Sequence, residues 1–428
     1  MPIVKESTCA YCGGCVSICP FGALDLAETR LLINDELCTE CGLCISACPT
    51  GALSAGAESL ATEGSRRRAD IVVVGAGPAG ATAARYAAER GLEVLLLEKR
   101  QEIGSPVRCA EGINQEMLLP FLEPDERWIS ARVSRSRIVS ADTGKERSLA
   151  GEETGYVLER RVFDRVLVEK AVLAGARVMV KTAVKGLITE SGVVKGVRAT
   201  DGRSLVEIEA RIVVGADGVE SRVGQWKGLD CVLRPCDCLV CAQYLLTGVD
   251  VDPSCCDYYL GEELAPGGYA WVFPKGDHRA NVGLGVQADL AHGPALDYLH
   301  RFIERYRELE QGSPVTLIAG NVPVGVAMGA LVSDGLILAG DAARQADPLT
   351  GGGIANAMIA GRLAAEICAQ AVEQGDTSAT ALQEYERRWA ESRGGKMQRS
   401  HRLKTRFSAA DRSSHGFQRA FAVALAGK

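Results

Sequence analysis

Near its start the chain says one thing twice. Cys9-Ala-Tyr-Cys12-Gly-Gly-Cys15-Val-Ser-Ile-Cys19-Pro20 recurs as Cys38-Thr-Glu-Cys41-Gly-Leu-Cys44-Ile-Ser-Ala-Cys48-Pro49. Even the trailing Gly-Ala-Leu repeats, at Gly22-Ala23-Leu24 and Gly51-Ala52-Leu53. A segment this short has little apolar core of its own, so its fold depends on what the thiols bind. The spacing C-x2-C-x2-C lets one loop wrap three corners of an iron–sulfur cube, and the fourth thiolate comes from elsewhere. In doubled runs of this kind the cysteine before proline serves the other cluster. Cys9, Cys12, Cys15 and Cys48 are therefore expected to hold one [4Fe–4S] cluster. Cys38, Cys41, Cys44 and Cys19 are expected to hold the second. Zinc is the competing reading, but its knuckles use paired C-x2-C and not these longer runs.

The remaining composition narrows the setting. The 428 residues are 47% hydrophobic, enough for more than one folded unit. The formal net charge of −6 gives no reason to expect a nucleic-acid partner. Met1–Glu6 has no apolar core of a signal peptide, and no run of 18 apolar residues occurs. A cytoplasmic protein is expected, with peripheral contact at the inner face of the membrane left open. The first 55 residues resemble a bacterial-type two-cluster ferredoxin, with every ligand present.

A different grammar begins after a small, polar and charged stretch, read as a linker over 57–69. Ile71–Val74 is a buried parallel-strand pattern, followed by Gly75-Ala-Gly77-Pro78-Ala79-Gly80 and an Ala-rich helix from about Pro78 to Arg90. Glu93–Glu98 is the next strand, completing a βαβ unit. Gly-x-Gly-x-x-Gly is weak evidence alone, but here it follows a strand and opens a helix, the context a dinucleotide site requires. The helix N-terminus would face a pyrophosphate, and Glu98 could accept from ribose hydroxyls. An acidic residue there favours FAD or NAD over NADP.

Glu159-Arg160-Arg161-Val-Phe163-Asp164, Gly215-Ala-Asp217-Gly218 and Gly340-Asp341-Ala-Ala343 follow in order. With the first βαβ unit they resemble the flavoprotein superfamily of aromatic hydroxylases and related reductases, over most of 70–365. The resemblance implies FAD. It places Gly75, Gly77, Pro78, Ala79 and Gly80 at the pyrophosphate, with Glu98 and Lys99 at the ribose. Arg108, Cys109, Ala110 and Arg160 would lie near the flavin. Asp217, Gly340 and Asp341 would complete the binding set, Asp341 at the ribityl chain. Gly351, Gly352, Gly353 and Ile354 would approach the isoalloxazine edge.

Two further stretches, Pro106-Val-Arg108-Cys109-Ala-Glu111-Gly112 and Gly268-Tyr269-Ala-Trp271-Val-Phe273-Pro274-Lys275, are similar to the geranylgeranyl reductase family. Asn281-Val-Gly283-Leu-Gly285 follows them. That family reduces isolated C=C bonds of isoprenoid chains with FAD. It implies an apolar tunnel over the flavin, with Tyr269, Trp271 and Phe273 at or near it; the candidate catalytic residues are Cys109, Tyr269 and Trp271. An unactivated alkene offers no carbonyl to polarise, so it needs a hydride on one carbon and a proton on the other. Cys109 could donate or position; equally it could be a small buried hydrophobe, and Tyr269 and Trp271 could be core. Cys109 has no cysteine near it in sequence, which argues against a redox disulfide beside the flavin. No second Gly-x-Gly-x-x-Gly unit serves NAD(P)H, so electrons are expected through the clusters from a low-potential donor such as ferredoxin.

The expected fold is therefore an α/β FAD-binding Rossmann-like domain (70–230 and 321–395). A mixed α+β substrate domain (231–320) is inserted in it. A small α+β ferredoxin domain (1–56) precedes both, and a basic tail (396–428) follows. Between Gly394 and Lys428 Asp411 is the single acidic side chain, and the tail could lie on anionic headgroups or be an ordinary solvated helix or subunit contact. Cys231, Cys236, Cys238, Cys241, Cys255 and Cys256 crowd the inserted domain; metal ligation, disulfides and free thiols all remain open. The expected reaction is reduction of a geranylgeranyl lipid or of a prenyl-quinone tail. Its rival is an electron-transfer flavoprotein that passes electrons between a ferredoxin-like donor and a quinone without touching an alkene. A flavin hydroxylase fits poorly, because O2 would attack exposed clusters.

Overall fold

A computed structural model describes residues 1–55, 66–201, 204–325, 328–406 and 415–425. In the first 55 residues the internal repeat becomes two matching turns. Short helices Gly14–Ile18 and Leu43–Ser46 each start behind a glycine in the left-handed region, Gly13 (φ 74) and Gly42 (φ 77). An L side chain is strained there, which is why both runs carry glycine after the second cysteine. Strand Ile3–Val4 pairs with Leu53–Ser54 and ties the two ends of the segment together. Cys15 and Cys44 share the small core with Leu24, Leu31 and Leu53.

Of the expected linker, 57–65 lies outside the described residues. Residues 66–69 are not linker: the strand runs Arg66–Val74. Its first half carries three arginines and pairs with Glu207–Ala210, so backbone pairing extends the strand where apolar patterning gives no sign of it. This strand is central to an eight-stranded sheet with Val94–Leu97 on one side and Leu205–Gly215 on the other, both parallel to it. Arg177–Met179 and Leu336–Leu338 extend the parallel core, and Ala183–Glu190 and Val193–Thr200 form an antiparallel edge. Helix Ile354–Gln374 packs on helix Pro78–Ala88 through small residues. A Cβ on Gly361 would come within 2.3 Å of the Ala79 carbonyl, so the two backbones are nearly in contact.

The second eight-stranded sheet differs from an insertion confined to 231–320. It uses Cys238–Thr247, Cys255–Leu260, Tyr269–Pro274, Arg279–Gln287 and Ser313–Pro323, and adds Gly112–Asn114, Ile129–Ser140 and Glu146–Leu158. The join is a parallel pairing of Cys255–Leu260 on Arg135–Ser140. Partners so far apart in sequence leave no local signal, which is why the hairpin at 129–158 reads as part of the first domain. Helix Ala295–Arg305 buries Leu299 and Phe302 against the outer face. The basic tail is helix Gly395–Arg406 and helix His415–Leu425. The second is not simply solvated: Phe417 and Phe421 are buried against Ile138, Leu260 and Leu349 of the second sheet and the neighbouring loop.

Candidate functional site

Between the glycine-rich turn and the second sheet lies a cavity of about 1130 Å³. Its floor includes Gly77, Pro78, Ala79, Arg160, Gly340, Asp341, Gly351, Gly352, Gly353 and Ile354. Arg108, Cys109 and Ala110 form one wall, and Tyr258, Tyr269, Trp271 and Phe273 form another. Residues from five separated stretches thus meet at one site.

The cradle fits a dinucleotide. Gly80 has no room for a side chain, since a Cβ would sit 1.8 Å from the Gly75 carbonyl. Gly75 (φ 102) is also closed to a side chain, since a Cβ there would sit 2.3 Å from the Ala216 carbonyl. Gly77 faces open space, with nothing within 4 Å. Close packing behind and space in front are what a pyrophosphate at the N-terminus of the Pro78–Ala88 helix needs. Glu98 accepts from Ala76 N (3.0 Å) and Arg100 N (2.9 Å), and each oxygen keeps a lone pair for a ribose hydroxyl. Lys99 points to the surface and pairs with Glu220 at 2.5 Å. Asp217 lies off the cavity. Burial pushes its carboxyl up, and its Oδ1 has no partner. Burial likewise pushes the Asp341 carboxyl up, opposed by Arg160.

The second sheet supplies residues that the motifs did not single out. Lys275 and Glu111 form a buried pair at 2.8 Å, their side chains 3% and 4% exposed. Asn281 Nδ2 also donates to Glu111, at 2.7 Å, and Arg160 N donates to its other oxygen at 2.8 Å. Glu111 (φ 75) therefore fastens the Arg108–Ala110 wall to the second sheet. Arg160 is held bidentately by Asp164, both bonds 2.8 Å. Burial weighs against its charge, but Asp164, Cys109 and Glu111 raise its guanidinium further above the usual range. Gln243 accepts from Trp271 Nε1 at 2.8 Å and donates to the Cys109 carbonyl at 3.3 Å. Tyr269 OH donates to the Thr350 carbonyl. Glu111 and Lys275 were visible inside the two quoted stretches; Gln243 had no signal beyond lying on a strand.

Burial pushes the Cys109 thiol up, against the pull of Arg160. It does have a thiol neighbour: Cys241 lines the same cavity and senses its charge, and burial raises the Cys241 thiol to about 12. The partner comes from a strand more than a hundred residues on, which sequence proximity could not show. All sixteen cysteines are free. Cys231, Cys238, Cys255 and Cys256 are buried, Cys236 and Cys241 partly so.

The N-terminal thiols fit iron–sulfur clusters. Backbone amides point at sulfur: Tyr11 N at Cys9 (3.4 Å), Ala23 N at Cys19 (3.4 Å) and Ala52 N at Cys48 (3.2 Å). Burial raises the Cys15 thiol, and Cys9 and Cys48 lie near enough to add to it. Cys44 is raised in the same way with Cys38 and Cys41 beside it. Among the described residues no three His, Cys, Asp or Glu side chains close round a single metal ion. A four-iron cube asks for a wider cage, with one thiolate for each iron.

Fold and site together define an FAD-dependent oxidoreductase with an attached iron–sulfur domain. Three family profiles match in order: a 4Fe-4S dicluster domain over 8–52, an FAD binding domain over 68–239, and the geranylgeranyl reductase catalytic domain over 237–322. Digeranylgeranylglycerophospholipid reductase of Methanothrix thermoacetophila is 50% identical over 344 residues, 79% of this chain and 88% of its own. The crystal structure of a geranylgeranyl bacteriochlorophyll reductase-like protein from Thermoplasma acidophilum superposes with a TM-score of 0.78 at 41% identity, covering 81% of this chain and 90% of that one. A flavin-dependent brominase shares the fold at TM-score 0.68 and 18% identity, over 83% and 93% of the two chains. The chain belongs to the geranylgeranyl reductase family.

Proposed function

We propose that this chain reduces carbon–carbon double bonds in the isoprenoid chains of a digeranylgeranylglycerophospholipid, with electrons that enter through its own two [4Fe–4S] clusters. The observation that carries this reading is the joining of a dinucleotide cradle to a wall of Tyr258, Tyr269, Trp271 and Phe273 in one cavity. A relative that bears the name of that activity is 50% identical over the 344 residues aligned. An aromatic wall receives an apolar chain, and no carbonyl-polarising residue is required.

The open space at Gly77 and the lining of the cavity support these assignments. Gly77, Pro78 and Ala79 receive the pyrophosphate, and Glu98 the adenosine ribose. Asp341 and Gly351–Ile354 receive the flavin end. When bound, reduced FAD supplies the hydride. Each double bond takes up two electrons and two protons. Cys109 holds a proton at Sγ, kept there by burial, on the wall that faces the chain. Tyr269 and Trp271 shape the cavity: their polar hydrogens are given to Thr350 and Gln243, so the apolar faces of the rings meet the substrate. Cys9, Cys12, Cys15 and Cys48 hold one cluster, and Cys38, Cys41, Cys44 and Cys19 the other. The electron donor is a low-potential one-electron carrier.

The test is anaerobic. Protein reduced with dithionite is given the geranylgeranyl phospholipid and, separately, a prenylated quinone. A mass gain of two hydrogens for each double bond, with reoxidation of the flavin, is the expected result. Reoxidation by quinone with the mass of the tail unchanged would overturn this reading.

A further inference from the structure

The two halves of the iron–sulfur segment differ where they meet the rest of the chain. Tyr11 and Glu40 occupy the same place, just before the second cysteine of each run, and both have left-handed backbone (φ 53 and 57). The Tyr11 ring lies 5.2 Å from the Lys181 ammonium, which also donates to the Cys9 carbonyl. Glu40 instead faces the surface and meets the N-terminal ammonium at 2.6 Å. Exposed Asp35 and Glu36 stand just before Cys38. A second asymmetry lies two residues after the last cysteine of each run. Thr50 Oγ1 is 3.7 Å from Cys48 Sγ, while Phe21, 49% exposed, takes the matching place after Cys19.

Lys181 is not a loose surface residue. It sits in a tight turn (φ 51) bonded to the segment that carries Glu98. Glu98 N donates to Met179 O (2.9 Å), Lys181 N to Arg100 O (2.8 Å) and Thr182 N to Glu98 O (2.8 Å). The residue that touches the Cys9 run is thus braced against the segment assigned to the adenosine ribose of the flavin nucleotide.

Positive charge and hydrogen bonds to sulfur stabilise the reduced, more negative state of a cluster and raise its potential. Lys181 and Thr50 both act on the Cys9, Cys12, Cys15, Cys48 set. Glu6 and Asp35 hold matching places before the two runs, but Glu36 and Glu40 add acid at the second where the first has Ser7 and Tyr11. We propose that the two sites are ordered. The Cys38, Cys41, Cys44, Cys19 site is the inlet that receives each electron from the external one-electron donor. The Cys9, Cys12, Cys15, Cys48 site is the outlet, higher in potential and docked on the flavin domain by Lys181 as its positioning residue. Two successive single-electron transfers deliver the two electrons that one double bond consumes. This rests on the cluster ligands assigned above.

The experiment is an anaerobic redox titration of the full-length holoprotein, followed by electron paramagnetic resonance and with no lipid present. Lys181→Gln is expected to lower the higher of the two midpoint potentials and leave the lower one in place. Lys181→Arg should restore it, and Glu40→Gln should raise the lower one. Stopped-flow mixing of Lys181→Gln with dithionite should show flavin reduction slowed several-fold at unchanged iron and flavin content. If Lys181→Gln moves neither potential, or moves the lower one, the ordering is wrong. Tyr11→Leu removes the ring contact independently and should also slow flavin reduction, while unchanged rates in both variants would sink the docking role. Absence of two cluster signals from the wild-type holoprotein would overturn the ligand assignment and the ordering with it. Alkene reduction enters none of these readouts, so that reading stands or falls separately.

Discussion

Glu111 shows how much one side chain can organise. Its carboxylate neutralises buried Lys275, accepts from Asn281 and holds the start of the Arg160 helix. Removing one member of a buried pair strands the other charge, which costs on the order of 3–5 kcal/mol. Glu111→Gln is therefore expected to lower stability by about 3 kcal/mol in urea unfolding, with flavin retention falling alongside. A change under about 0.5 kcal/mol would show that Lys275 is served by Glu159, 3.4 Å away, instead. The buried thiols make a separate prediction about pH. Cys241 and Cys368 are raised by burial from 9.0 to about 12. Above pH 9 the unfolded chain loses these protons while the folded chain keeps them, so unfolding becomes progressively easier. The contribution is whole below pH 9 and lost as pH rises through about 12. Denaturant midpoints measured from pH 8 to 10.5 should fall, and Cys368→Ala, which cannot titrate, should flatten part of that fall.

At the scale of elements, the glycine turn separates two roles that its motif merges. Gly80 cannot take a side chain because the Gly75 carbonyl is in the way, and Gly77 can because nothing is. Gly80→Ala should misfold or lose many degrees of melting temperature. Gly77→Ala should melt near the wild type when stripped of flavin yet retain little FAD by absorbance after gel filtration. Equal loss of stability in both would contradict the open space at Gly77. This strand–turn–helix unit was legible because every partner is local: Val74, the turn and the Pro78 helix are consecutive. The doubled cysteine run was legible for the same reason. The Arg66–Arg68 strand start was not, because its partners at 207–209 hold it by backbone bonds that side-chain patterning does not encode.

For the whole molecule, the C-terminal helix contributes to the wall of the cavity. Phe421 packs edge-on against Tyr258 and Tyr269, with ring centroids 5.7 and 5.1 Å apart, and Ala424 and Leu425 line the cavity itself. Phe421→Ala should cost about 3 kcal/mol and raise KM for the lipid more than it lowers kcat. An unchanged KM with reduced stability would make the helix a brace and nothing more. The basic composition of the tail as a whole hid this, because its charge is concentrated before His415 while Ala420–Leu425 is an unbroken apolar run. The sequence by itself determined the chemistry: eight thiols at fixed spacing, a phosphate-receiving turn, and an aromatic strand beside them. Each is a short-range pattern whose geometry follows from bond lengths and backbone sterics. Tertiary structure alone decided which of these meet. It set Cys241 beside Cys109, Gln243 between Trp271 and the Cys109 carbonyl, Lys181 on the Cys9 run, and Phe421 over the tyrosines. Those contacts join residues tens to hundreds of positions apart, and only the closing of the two sheets and the burial of their apolar faces brings them together.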